Sequence, residues 1–174
     1  TPKAQDWFFE KDRQTGIPTL QNVVATGRVL GPQPSLAEAQ QTKARRQLED
    51  GPPRWSKDDL NAARYHLTDR LDDLLDPRDP AERLGLLSAH FSDLADFWLR
   101  AAGRWSAKGK AILRVLAAAD ASFAERYQRA FNTAFGGDVS EVVALTEAIL
   151  ASHGGRYWSG DIRYAPKDEI FAQR

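Results

Sequence analysis

Proline and glycine punctuate this chain so strongly that no element can run far: "GPQP" at 31–34, "GPP" at 51–53, "DPRDP" at 76–80 and the pair Gly154-Gly155 each interrupt it. Proline lacks the backbone N–H that a helix interior needs and fixes φ, while glycine is a poor helix residue. Between the breaks, apolar residues recur every three or four positions. Leu60, Ala63, Leu67, Leu71 and Leu74 form one such stripe, and Leu84, Leu87, Phe91, Leu94 and Trp98 form another. That spacing belongs to helices with one face in a shared core.

The breaks and stripes together predict an all-α fold. Residues 2–15 open with a proline at the first helical position and stop at Gly16, and a second short helix lies between Pro18 and Gly27. "RVLGPQP" then reads as an extended step and a turn. In "SLAE" Ser35 and Glu38 have capping-box spacing, so a helix is expected from Ser35 to about Asp50. Ser56 starts the next in "SKDD". Asp79 is a cap and Pro80 a first-turn residue for a helix reaching about Ala102. Shorter helices are expected at 108–119, 122–135 and 140–152. Residues 35–174 thus read as an antiparallel bundle of four to five main helices, and residues 1–34 as a linker or the edge of a neighbouring catalytic domain. The tail "GGRYWSGDIRYAP" alternates aromatic and polar residues around Ser159-Gly160, which suits a small hairpin or a strap across the bundle.

Charge balance narrows the partners. With 24 basic and 24 acidic side chains in 174 residues, nothing favours general nucleic-acid binding, and any electrostatic role is local. The 42 % of hydrophobic residues suffices for a normal core, and no apolar run approaches a bilayer span, so no membrane partner is expected. The chain has no cysteine, which excludes disulfides and thiolate ligands and fits a cytoplasmic setting. It also has no methionine, so it is expected to be part of a longer translation product. Homo-oligomers are compatible with these features.

Three clusters carry enough chemistry to weigh. The first is "WLRAAGRWSAKGKAILR" at 98–114, with Arg100, Arg104, Lys108, Lys110 and Arg114 around Trp105. It is no phosphate loop: five residues separate Gly103 from Gly109, Ala111 stands where a magnesium-binding hydroxyl belongs, and a helix precedes it. A helix beginning near Ser106 or Ala107 would leave N–H groups free for an anion, with Trp105 stacking on a ring. Alternatively the charges are solvated, Trp105 plugs the bundle end and Gly103 supplies a left-handed cap.

The second cluster is the acidic row Asp69, Asp72, Asp73 and Asp76, with His66 one turn before Asp69. His66, Asp69 and Asp73 share a face, which suits a cationic substrate or a metal; equally, Arg64, Arg70 and Arg78 would neutralise a wet surface. In the third, Arg83 and His90 lie two turns apart, as a helical RNase-type or toxin-antitoxin module would place an arginine for phosphate charge and a histidine as acid or base. The alternative there is a packed histidine, and His153, ahead of two glycines, suits a helix C-cap. No Gly-x-Ser-x-Gly, His-Glu-x-x-His or Rossmann glycine pattern occurs. A purely non-catalytic interaction domain is the third class.

Four stretches, "DWFFEKDRQTGIPTLQNVVATGRVL", "RYHLTDRLDDLLDPRDPAE", "DFWLRAAGRWSAKGKAILRVL" and "GGRYWSGDIRYAP", resemble the C-terminal helical half of bacterial nucleotidyltransferase-domain proteins. These belong to the polymerase-beta-like superfamily that includes kanamycin nucleotidyltransferase. The resemblance implies a bundle that closes over substrate beside a small catalytic domain, with a nucleotide and a small-molecule acceptor as partners. The family's Gly-Ser turn and Asp-x-Asp pair, which hold magnesium against a nucleoside triphosphate, are missing from this chain. The resemblance therefore places catalysis upstream of Thr1, and the chain alone is expected to be inactive, with no catalytic or metal residue of its own. Arg64, Tyr65, Asp69, Arg104, Trp105 and Lys110 fall in the family-like stretches, and by charge Arg104, Lys108 and Lys110 suit phosphate while Asp69 and Asp73 suit a cationic acceptor.

Overall fold

The computed structural model describes residues 2–30 and 33–158. Among them are eight α-helices and no strand: α1 (Pro2–Thr15), α2 (Thr19–Thr26), α3 (Pro34–Asp50), α4 (Lys57–Leu75), α5 (Pro80–Ala101), α6 (Ile112–Ala119), α7 (Ala121–Phe135) and α8 (Ser140–Ala151). The all-α bundle is as expected. The hairpin expected around Ser159-Gly160 lies outside the described residues, as do Gly31 and Pro32 of the extended step.

Local chemistry explains most of the boundaries. At the start of α4 the Ser56 hydroxyl accepts from the Asp59 N–H at 3.1 Å while the Asp59 carboxylate accepts from the Ser56 N–H at 2.9 Å, a reciprocal capping box. The Ser56 hydroxyl also donates to that carboxylate, which holds Asp59 below its ordinary value. Asp79 caps α5 by accepting from Ala81 and Glu82. Two expectations are corrected. Helix α3 begins one residue earlier than read, with Gln33 as N-cap and no side-chain cap bond, so Ser35 and Glu38 form no capping box. Proline at N1 explains this, because its fixed φ is already helical and its missing N–H needs no cap. The segment expected as a helix from 108 instead opens with a 3-10 turn, Gly109–Ala111, before α6.

Two apolar clusters hold the elements. A small one, Phe9, Ala25 and Ala44 with Leu20, Val24 and Leu48, joins α1, α2 and α3. The larger one joins α4 to α8 and includes Leu67, Leu74, Leu87, Leu94, Phe97, Ile112, Leu116, Tyr127, Phe131, Val142 and Leu150. Both predicted stripes contribute to it. Leu71 is buried outside that cluster, and Leu84 is 61 % exposed, since the stripe of α5 starts before the bundle covers it. A ladder of rings runs through this core: Trp98 lies flat on Phe123, with centroids 4.1 Å apart and planes 5° apart, and Tyr127, Phe91 and Phe131 continue the contacts. No helix among the described residues is long and apolar enough to cross a membrane.

Inside this core His90 has no exposed surface, and its Nε2 lies 2.8 Å from the Thr146 hydroxyl. Because that hydroxyl donates to the Val142 carbonyl, the imidazole must be the donor in the pair, with a proton on Nε2. Burial pushes its pKa down to about 4, with the positive charge of Arg70 and His66 acting in the same direction. The unfolded chain therefore binds a proton that the folded one refuses between about pH 6.5 and 4. Stability from this group is complete above that window and is lost as pH falls through it, by about 2 kcal/mol between pH 7 and pH 4.5. Urea unfolding across that range should show the loss, and His90→Gln, which keeps a donor but does not titrate, should remove that share of the slope.

Candidate functional site

The structure separates residues that the sequence drew together. Arg64 faces inward: its guanidinium donates to the carbonyls of Gly154 and Gly155 at 2.8–3.0 Å and to Asn61 at 3.1 Å, and it lies over the Tyr157 ring. It closes the end of α8 and does not neutralise the acidic row. Gly154 is needed for this approach, since its φ is +99° and a Cβ there would sit 3.2 Å from an Arg64 nitrogen. Residues 156–158 continue as a strap. Arg156 pairs with Asp72 and Glu147, and the Tyr157 N–H donates to the Thr68 hydroxyl. Tyr65 meets Trp158 edge-on, with centroids 6.4 Å apart.

The rest of the acidic row divides. Asp72 is held by Arg156, and Arg70 pairs with Asp93 of α5 at 3.0 Å. His66 turns to that same Asp93 and to Arg70, away from Asp69 and Asp73. Asp69 and Asp73 stay exposed with no cationic partner within 4 Å among the described residues. Asp73 lines a groove of about 330 Å³ with Asp76, Pro77, Arg78, Glu82 and Leu86. Its three carboxylates outnumber its one guanidinium. No group of three His, Asp or Glu side chains among the described residues could hold a metal ion.

The basic turn divides as well. Trp105 is half-buried and its indole N–H donates to the Leu48 carbonyl at 2.9 Å, so it ties α3 to the bundle corner. Arg100 is 5 % exposed, lies over Trp55 and donates to the Pro53 carbonyl. Lys108 and Lys110 are exposed, and Gly103 is left-handed with φ +70°, the expected cap. No helix N-terminus stands at Ser106 or Ala107, because Ser106 is spent on an N–H bond to the Gly16 carbonyl and helical structure resumes only at Gly109.

Arg104 lines a cleft beside α7 and α8. It lies over Trp98 and donates to the Ala119 carbonyl, finishing α6. The cleft, about 350 Å³, is lined by Trp98, Arg104, Phe123, Arg126, Ile149 and His153 among others. Arg126 lies over Phe123 as Arg104 lies over Trp98, each 5.9 Å from its ring. Neither arginine has a carboxylate within 4 Å among the described residues. Arg126 has no signal of its own in the sequence, because only the packing of α5 on α7 brings it beside Arg104.

His90 and Arg83 do not form a site. His90 is enclosed in the core, and Arg83 is half-buried with an unpartnered Nε. No RNA phosphate has a route to the imidazole. The chain matches no family model, no curated protein and no solved structure.

Replacing Arg64 should expose its structural role. Arg64→Ala leaves the carbonyls of Gly154 and Gly155 without their donor and should lower unfolding free energy by about 2–3 kcal/mol. Asp69→Asn, on the same helix but exposed, should change it by less than about 0.5 kcal/mol. Urea melts of the two variants check both values.

Proposed function

We propose that this bundle is the helical substrate-binding region of a nucleotidyltransferase, acting with a catalytic domain to transfer a nucleotidyl group to a small cationic acceptor. One observation carries the reading beyond the sequence resemblance: the bundle has two clefts of opposite charge, and each is lined by a residue from the family-like stretches or beside them. Asp73 lies in the acidic groove with Asp76 and Glu82, and Arg104 lies in the basic cleft with Arg126. A transferase that joins a phosphate-bearing donor to an amine-bearing acceptor needs such a division, because each charge favours one reactant and repels the other.

The chain's own residues supply binding and orientation in this reading. Holding two reactants in reacting geometry removes much of the entropy barrier to their encounter. The carboxylates that hold magnesium and activate the acceptor come from the catalytic domain. The RNase reading has lost its histidine to the core.

The test is transfer of the radiolabelled adenylyl group of ATP, with release of pyrophosphate, to a hydroxyl of an amine-bearing acceptor such as an aminoglycoside, by the protein produced with the residues encoded upstream of Thr1. Those residues should contain a Gly-Ser turn and an Asp-x-Asp pair. Asp73→Asn should raise the KM for acceptor by roughly three- to tenfold and leave the KM for ATP nearly unchanged. Absence of the upstream pair, or transfer by the present chain alone, would overturn the proposal.

A further inference from the structure

The basic cleft at the junction of α5, α7 and α8 has an excess of hydrogen-bond donors. A guanidinium has five N–H groups. Arg104 commits one nitrogen to the Ala119 carbonyl, and Arg126 makes no hydrogen bond or ion pair among the described residues. Both charges open onto one cleft whose wall includes Leu145, Ala148 and Ile149. Apolar walls weaken solvent screening, so two like charges here repel more than they would on an open helix face. A multiply charged anion relieves that repulsion.

The stacked rings give the cleft its shape. Trp98 and Phe123 lie flat on one another, and each has one of the two arginines over it. The guanidinium planes are thereby held beside rigid supports, and less conformational freedom is lost when they bind. Arg104 is further fixed by its bond to the end of α6. Planar, always-charged forks suit tetrahedral oxyanions with several acceptor oxygens, which a single carboxylate cannot offer.

We infer that the cleft lined by Trp98, Arg104, Phe123 and Arg126 is a binding site for a polyphosphate group, anchored by the two guanidiniums. It deepens the reading of the bundle as a substrate-binding region and rests on it for the source of the phosphate, a nucleotide; the site itself needs no transfer to be seen. The ligand's anion, not its base, supplies most of the affinity, so inorganic tripolyphosphate is a sufficient probe.

Titration calorimetry on the full chain tests this with tripolyphosphate, ATP and adenosine as probes. Tripolyphosphate and ATP should both bind, adenosine should bind at least about tenfold more weakly, and raising the salt concentration should weaken the two anions together. Arg126→Gln removes an exposed charge and its contact with the Phe123 ring, and should weaken tripolyphosphate at least about tenfold with little change in the thermal melt. Arg104→Lys keeps one charge but loses the fork, and should give an intermediate loss. No tripolyphosphate binding at millimolar concentration, equal binding of adenosine and ATP, or affinity unaltered in Arg126→Gln would each overturn the site. If tripolyphosphate binds with the expected arginine dependence but the upstream residues lack Asp-x-Asp, the site stands and the nucleotidyltransferase reading falls. The reverse result leaves that reading standing and removes this site.

Discussion

A buried guanidinium, Arg64, sets the limits within which the C-terminal end of this bundle can be built. Carbonyl groups at the end of any helix lack intrahelical partners, and water usually supplies them. Here the chain turns under the bundle instead, and Arg64 gives its donors to the carbonyls of Gly154 and Gly155. Strap residues 156–158 follow from that turn. The same bonds dispose of a charge that would be expensive to leave unpaired at 9 % exposure. Arg100 plays a comparable part where α5 ends, meeting the Pro53 carbonyl, Trp55 and the turn at Gly16. Two cations are thus removed from the molecule's surface electrostatics to hold its corners.

That removal shapes what is left for ligands. The chain has no net charge, yet its exposed charges are not evenly mixed: carboxylates gather beside the α4–α5 connection and guanidiniums beside the rings of α5 and α7. Opposite charges on one rigid scaffold can sort two reactants without any loop closing over them. The rings of Trp98 and Phe123 belong at once to the core and to the basic cleft, so the cleft inherits the rigidity of the packed interior.

Much of the fold was legible in the sequence because helix signals are local. Leu67, Leu71 and Leu74 recur at the helical period and are buried, and Ser56 and Asp79 cap the helices they were read to cap. Ser35 misled because Pro34, one residue earlier, had already set the start of the helix. Gly109 allowed a tighter turn than the expected helix. The site was less legible because its contacts are long-range. Arg64 was read as a surface charge, yet its partners lie 90 and 91 residues further on. Arg104 was recognisable, but Arg126 gained meaning only once α7 lay against α5. Trp105 was read both as a plug and as a stacking surface, and its bond to Leu48 assigns it to the corner.

The bond between His90 and Thr146 bears on register. Helices α5 and α8 meet the shared core with side chains of different shape, Leu87, Phe91, Leu94 and Trp98 on α5 and Val142, Leu145 and Ile149 on α8, and packing resists a slide of one turn only through the fit of those shapes. A directional bond does not tolerate it. Moving α8 along its axis by a single turn would strand a ring N–H in apolar surroundings, at about 1–3 kcal/mol. The pair therefore adds a directional restraint on register to the one that ring packing supplies, and it keeps His153, at the far end of α8, level with Trp98 across the cleft.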